Sequence, residues 1–231
     1  MRNRCTLMAW ALNALLFSQT IQADQRNDIP DCYQYAGLTD QRPASTGREL
    51  VVVVDETTQL TDDLKKEALA HVLRFVQPGD KIQLYRFSAY LPDSHMNLEF
   101  VGTLQSGPTP SVRDNTGANS LKKLDQCLAK QQTFFQMQFA KKMGGSFGDV
   151  SKQIVKSEIV YSLKQIGESW KVSTTPDKVM FLISDMLENS DYTSFYQKNQ
   201  IRQVDATKEM QKVEQSNLLA SLKGVRIYIE A

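Results

Sequence analysis

The chain has 231 residues, 41% of them hydrophobic and 23% charged, which is ordinary for a globular protein and enough to bury a sizeable core. Its 27 Lys and Arg offset 26 Asp and Glu, leaving a formal charge of +1. No global field therefore argues for nucleic acid or an acidic membrane surface, and partners must be inferred from local features.

Residues 1–23 read as an export signal. Arg2 and Arg4 give a positive start, residues 5–17 are mainly apolar, and a polar stretch ends in Ile21-Gln22-Ala23, with cleavage expected after Ala23. The apolar run is shorter than the roughly 20 residues a spanning helix needs, and Cys5 lies too early to be a lipid-bearing cysteine. A soluble protein of a periplasm or of the extracellular space is expected. Cys32 and Cys127 then remain in a compartment that permits oxidation. They read either as one disulfide or as two unrelated buried thiols.

Residues 24–48 are rich in Asp, Gln, Pro, Ser and Gly without periodicity and read as an irregular arm; residues 49–231 form the domain. Val51–Val54 have no polar alternation, so they predict a strand covered on both faces, as in the centre of a parallel sheet. Asp55, Thr57 and Thr58 follow, at the carboxyl end of a strand, where open α/β sheets bind ligands. Thr61 with Asp62 and Asp63 predicts the capped start of a helix that Pro78-Gly79 ends. His71 lies within it and has no His or Cys at metal-ligand spacing.

Strands are predicted over residues 80–88 and 98–104. The connection between them, containing Pro92, Asp93 and His95, is too short for a helical crossover, so the two should pair antiparallel. Residues 105–119 form a long polar loop of a kind that often carries binding residues. Helix is predicted over residues 120–143, a break at Gly144-Gly145, and a second helix over residues 149–170 on the stripe Val150, Ile154, Ile159, Leu163, Ile166 and Trp170. A second apolar strand ends in Ser184-Asp185; a loop with Tyr192, Phe195 and Tyr196 leads to a polar helix over residues 200–222 and a closing strand at residues 225–229.

This alternation predicts a Rossmann-like α/β fold, with a mostly parallel sheet, helices on both faces and one antiparallel edge strand. If the two apolar strands are neighbours, Asp55 and Asp185 emerge at one edge. Carboxylates with Thr hydroxyls between them suit Mg²⁺ or Ca²⁺ rather than zinc.

Over residues 49–231 the pattern, from the valine strand into Asp55-Glu56-Thr57-Thr58-Gln59 through Phe181-Leu182-Ile183-Ser184-Asp185, resembles the von Willebrand factor type A domain family. That family's adhesion site uses an Asp-x-Ser-x-Ser turn, a Thr from a later loop and an Asp after the fourth strand. The resemblance implies that Asp55, Thr57, Thr116 and Asp185 hold Mg or Ca and leave a place for an acidic group of a protein partner. Gln59 stands where the second Ser is expected and Met186 where a Gly is usual, so a degenerate site that merely caps the sheet is the alternative. Binding would then use Tyr192, Phe195 and Tyr196, unless these pack on the sheet edge. Such domains also add a final helix, so either that element is missing or something else covers the closing strand.

A second resemblance starts from the same turn. Asp55-Glu56-Thr57-Thr58-Gln59-Leu60-Thr61 is similar to the phosphorylation turn of haloacid-dehalogenase-like phosphohydrolases. It implies Asp55 as nucleophile, Mg²⁺ carrying phosphate charge, and Asp185 with Asp191 as the second acidic pair.

Overall fold

A computed structural model describes residues 26–44, 47–88, 96–147, 156–198 and 200–231. Residues 1–23, expected to be an export signal, residues 149–155 of the expected residue 149–170 helix and most of the residue 89–97 connection lie outside them. In chain order the elements are α1 (Cys32–Ala36), a 3₁₀ turn (Thr39–Gln41), β1 (Arg48–Asp55), α2 (Asp62–Phe75), β2 (Lys81–Phe87), β3 (Met96–Thr103), α3 (Pro110–Asp114), α4 (Ala118–Ser146), α5 (Ile159–Lys171), β4 (Asp177–Ile183), β5 (Tyr196–Gln197), β6 (Gln200–Ile201), α6 (Ala206–Gln215) and β7 (Val225–Glu230).

The valine strand is the centre of a five-stranded sheet of order β3-β2-β1-β4-β7. β1 runs parallel to β2 and β4, and β4 parallel to β7. β3 alone is antiparallel, against β2. The fold is thus α/β with a mostly parallel sheet, accompanied by a separate β5–β6 hairpin. Strand alternation divides the core between two faces. Leu50, Val52 and Val54 pack with Ala68 and Val72 of α2 and with Phe135, Phe139 and Met143 of α4. Val51 and Val53 pack with Ile159, Ile166 and Trp170 of α5. Each such side chain, fully buried, contributes roughly 1.5–3 kcal/mol.

The caps of α2 are as the sequence implies: Thr61 Oγ1 accepts from Leu64 N, and Asp62 and Asp63 occupy the first turn. Leu64 is nevertheless exposed, outside the buried stripe of Ala68 and Val72. His71 Nδ1 lies 2.7 Å from Glu230 Oε1, tying α2 to the end of β7. α4 is 29 residues long and has two successive roles. Leu124 and Cys127 meet the arm, while Phe135, Phe139 and Met143 meet the sheet.

The arm is ordered by four kinds of contact. Asp28 N donates to Val101 O at 2.7 Å, and Val101 N donates to Asp28 Oδ2, so the arm covers the outer edge of β3. Ile29 enters the core over Gly102, where a Cβ would lie 2.4 Å from Ile29 Cγ1; only glycine fits. Gln105 Oε1 accepts from Cys32 N, and Gln131 Nε2 donates to Pro30 O. Cys32 and Cys127 are joined in a disulfide, Cα–Cα 5.4 Å across a sequence separation of 95. No described helix is long and apolar enough to cross a membrane.

Three helices differ from expectation. α4 does not break at Gly144-Gly145 but continues through them to the buried Ser146, whose hydroxyl bonds back to Lys142 O. Residues 156–158 are not helical, because Ser157 exchanges backbone hydrogen bonds with Asn189 and Glu158 N donates to Ser88 O; helix begins at Ile159. The stripe from Val150 to Trp170 conceals this clamp. The residue 200–222 helix is confined to Ala206–Gln215, capped by Asp205 and closed by Asn217 at φ 54°. The residues after it return along α5, with Ser221 N 3.0 Å from where a Cβ on Gly167 would stand.

Candidate functional site

The carboxyl end of β1 delivers Asp55 into a pocket of hydroxyls, where it is only 1% exposed. Its Oδ1 accepts from Thr57 N at 2.9 Å and from Thr57 Oγ1 at 2.6 Å. Its Oδ2 accepts from Ser157 Oγ at 2.7 Å and Ser184 Oγ at 2.9 Å. Four donors on one carboxylate satisfy its acceptor capacity and fix its orientation.

The turn after β4 is laced to the turn after β1. Asp185 N donates to Thr58 Oγ1, Met186 N to Ser184 Oγ, and Leu187 N to Asp185 Oδ1 at 2.9 Å. Burial, and then the charge of Asp55, push the Asp185 carboxyl up, against the pull of the Leu187 amide. Met186 has φ 59°, in the left-handed region. That conformation costs a non-glycine residue roughly 1–2 kcal/mol, which explains why a glycine suits the place Met186 occupies. Gln59 is exposed, and no hydrogen bond joins it to this cluster.

Of the expected residues, the structure brings together Asp55, Thr57 and the Asp185 turn. Thr116 is elsewhere. Its hydroxyl donates to Val112 O and lies 3.0 Å from the Gln41 side-chain amide in the arm. Gln131 bonds to Gln105 just past β3, level with the start of β1, and Thr116 precedes Gln131 by about four helical turns. Thr116 therefore lies beyond the edge opposite Asp55. Ser157, which sequence reasoning missed, supplies the hydroxyl from a later loop. Asp191 pairs with Lys156 on the surface, at odds with an Asp185/Asp191 acidic pair.

A second polar cluster borders the first. Glu188 is buried and its Oε2 accepts from Val160 N at the start of α5. Burial, helped by the charge of Glu158, raises its carboxyl to about 7, although Ser190, Val160 N and Tyr192 bond to it. Burial also raises Glu158 and Tyr192. Tyr196 is pushed up by burial and by the charges of Asp185 and Asp55. The hairpin carrying it is pinned to α6 through Glu209: burial acts against ionisation, but Thr193, Arg202 and Lys212 hold the carboxyl down at about 2. Arg202 also lies over the Phe195 ring, 5.6 Å from its centroid.

The donors around Asp55 are all oxygen: the carboxylates of Asp55 and Asp185 and the hydroxyls of Thr57, Ser157 and Ser184. This set suits a hard cation such as Mg²⁺ or Ca²⁺. Among the described residues no group of three or more His, Cys, Asp or Glu side chains is placed to hold a metal, so any cation here would depend on the hydroxyls. A cavity of about 820 Å³ lies well away, between the arm and β2–β3. Its cations Arg26, Arg42 and Lys81 are each paired, with Asp28, Asp31 and Glu49. No protein family's sequence profile matches the chain, and no curated protein matches it.

Proposed function

We propose that the chain is an exported, von Willebrand factor A-like binding module. The edge at Asp55 meets a protein partner through a divalent cation held by Asp185 and by the hydroxyl oxygens of Thr57 and Ser157, with Asp55 the buried carboxylate that accepts from those hydroxyls and aims them. The cation would supply a coordination place for an acidic group of that partner. Ser157 takes the role that the resemblance implies for Thr116. The observation that carries this reading is the convergence of three separate segments on one buried, oxygen-only cluster at the carboxyl edge of a parallel sheet. The antiparallel edge strand and the signal-like first 23 residues support it further. Tyr196, exposed on the β5–β6 hairpin, offers such a partner an aromatic side chain.

The phosphohydrolase reading needs Asp55 free to attack phosphorus. Four hydrogen bonds and near-complete burial oppose that role, because a saturated carboxylate is a poor nucleophile. The test pairs two assays on the native protein: thermal unfolding with Mg²⁺, Ca²⁺ or chelator, and turnover of a generic phosphate ester. A cation-dependent rise in melting temperature without turnover is expected. Turnover that Asp55→Ala abolishes would overturn the binding-module reading.

A further inference from the structure

The two edges of the sheet are treated differently. The arm covers β3, whereas among the described residues nothing pairs with the outer side of β7. Ile227, Tyr228 and Ile229 are 41%, 40% and 53% exposed in a sheet whose central strand is sealed. Ser184 N donates to Glu230 O, so Glu230, and with it Tyr228 and Arg226, turn their backbone groups toward β4. By strand alternation Ile227 and Ile229 turn their N–H and C=O groups outward. A bare edge of this kind is a template for another strand.

We propose that the occupant is the β7 strand of a second copy of this chain, paired antiparallel about a two-fold axis through Tyr228. The sequence Arg226-Ile227-Tyr228-Ile229-Glu230 is complementary to its own reverse. Centred on Tyr228, each Arg226 stands opposite the other copy's Glu230, each Ile227 opposite Ile229, and Tyr228 opposite itself. The backbone agrees with that register. Ile227 and Ile229, whose groups point outward, become the hydrogen-bonded pairs, and Tyr228 becomes a close non-hydrogen-bonded pair. Shifting the centre to Ile227 would set Arg226 against Tyr228 and lose both charge pairs. Arg226 engages Asp177 through Nη2 and Glu230 engages His71 through Oε1, so each group keeps further donors or acceptors for the other copy. Cross-strand opposite charges and β-branched or aromatic pairs each favour such a joint. It would fuse two five-stranded sheets into one of ten, within the usual span of open sheets. A joint of one strand per copy falls at the low end of stable interfaces, so the dimer is concentration-dependent. This inference does not depend on the chemistry at Asp55.

The test is sedimentation of the whole chain from low to high micromolar concentration, combined with cysteine cross-linking in a Cys5→Ser background. A monomer–dimer equilibrium is expected. Ile229→Pro removes one outward N–H and no β4–β7 hydrogen bond, and should give a monomer with an unchanged circular dichroism spectrum. Tyr228→Cys places the thiols on the axis, where a close antiparallel pair suits a disulfide, and should trap the dimer under mild oxidation. Arg226→Cys sets the thiols about 13 Å apart along the strands and should not. A chain that stays monomeric at the highest concentration, leaving the edge to some other partner, overturns the proposal. So does a dimer that Tyr228→Cys cross-links no better than Arg226→Cys. If Ile229→Pro fails to fold, the cross-linking comparison alone decides.

Discussion

Ser157 donates its hydroxyl to Asp55 Oδ2 at 2.7 Å, across 102 residues of sequence. The bond is buried, and it joins the entrance of α5 to the central strand. Its neighbours are equally fixed, since Ser157 N and O are both bonded to Asn189. The hydroxyl is thus held where a hydroxyl ligand from a third segment would be needed.

Asp55→Ala leaves the Thr57 amide and three hydroxyls without their acceptor in a buried pocket. Unpaired buried donors cost about 1–3 kcal/mol each before relaxation. Urea unfolding without added cation should show a loss of roughly 2–4 kcal/mol, and Ser157→Ala, which removes one donor together with its bond, a loss of about 1 kcal/mol.

Glu188 gives the stability a pH dependence of definite sign. Its carboxyl titrates at about 7 in the folded protein against an ordinary 4.5, so the folded state keeps a proton that the unfolded chain has released. Stability therefore falls as pH rises from 4.5 through about 7, by up to about 3 kcal/mol from this group. Glu188→Gln should flatten the urea midpoint over that window. Glu209 acts oppositely: its stabilisation is present above 4.5 and lost as pH falls toward 2, and Glu209→Gln should remove that acid-side slope.

Breaking the Cys32–Cys127 bond frees a long loop in the unfolded chain, worth roughly 4–5 kcal/mol on a chain-entropy estimate. The double Ser variant should melt lower, and hydrogen exchange should rise first in the arm and in the N-terminal turns of α4. Gly102→Val forces Ile29 out of its seat and should loosen the same arm by 1–3 kcal/mol, on the order of other overpacked sites.

Much of this architecture is legible in the residues. Four consecutive valines without alternation mark β1 as covered on both faces, and the short Pro-containing connection marks β2–β3 as antiparallel. The position of Thr116 follows from that same antiparallel strand. β3 returns the chain to the edge where β1 begins, so the polar loop after it lies far from Asp55; α4 must run back before any loop can reach the site. Ser157, which follows α4, and not the polar loop before that helix, is the neighbour of Asp55. Ser157 itself was hidden because Val150, Ile154 and Ile159 continue a helical stripe through it. The usable signal was a Ser-Glu pair directly ahead of an amphipathic run. The left-handed turn at Met186 carries no sequence signature, since glycine or asparagine is the residue that announces one.

The most direct measurement of the central claim is thermal unfolding of four proteins, the native chain, Asp185→Asn, Ser157→Ala and Thr116→Ala, titrated with Mg²⁺ or Ca²⁺ against chelator. The account predicts that cation raises the melting temperature of the native protein and of Thr116→Ala equally, that Asp185→Asn abolishes the rise and that Ser157→Ala diminishes it. Absence of any cation-dependent shift in the native protein, or a shift that survives intact in Asp185→Asn, would contradict it.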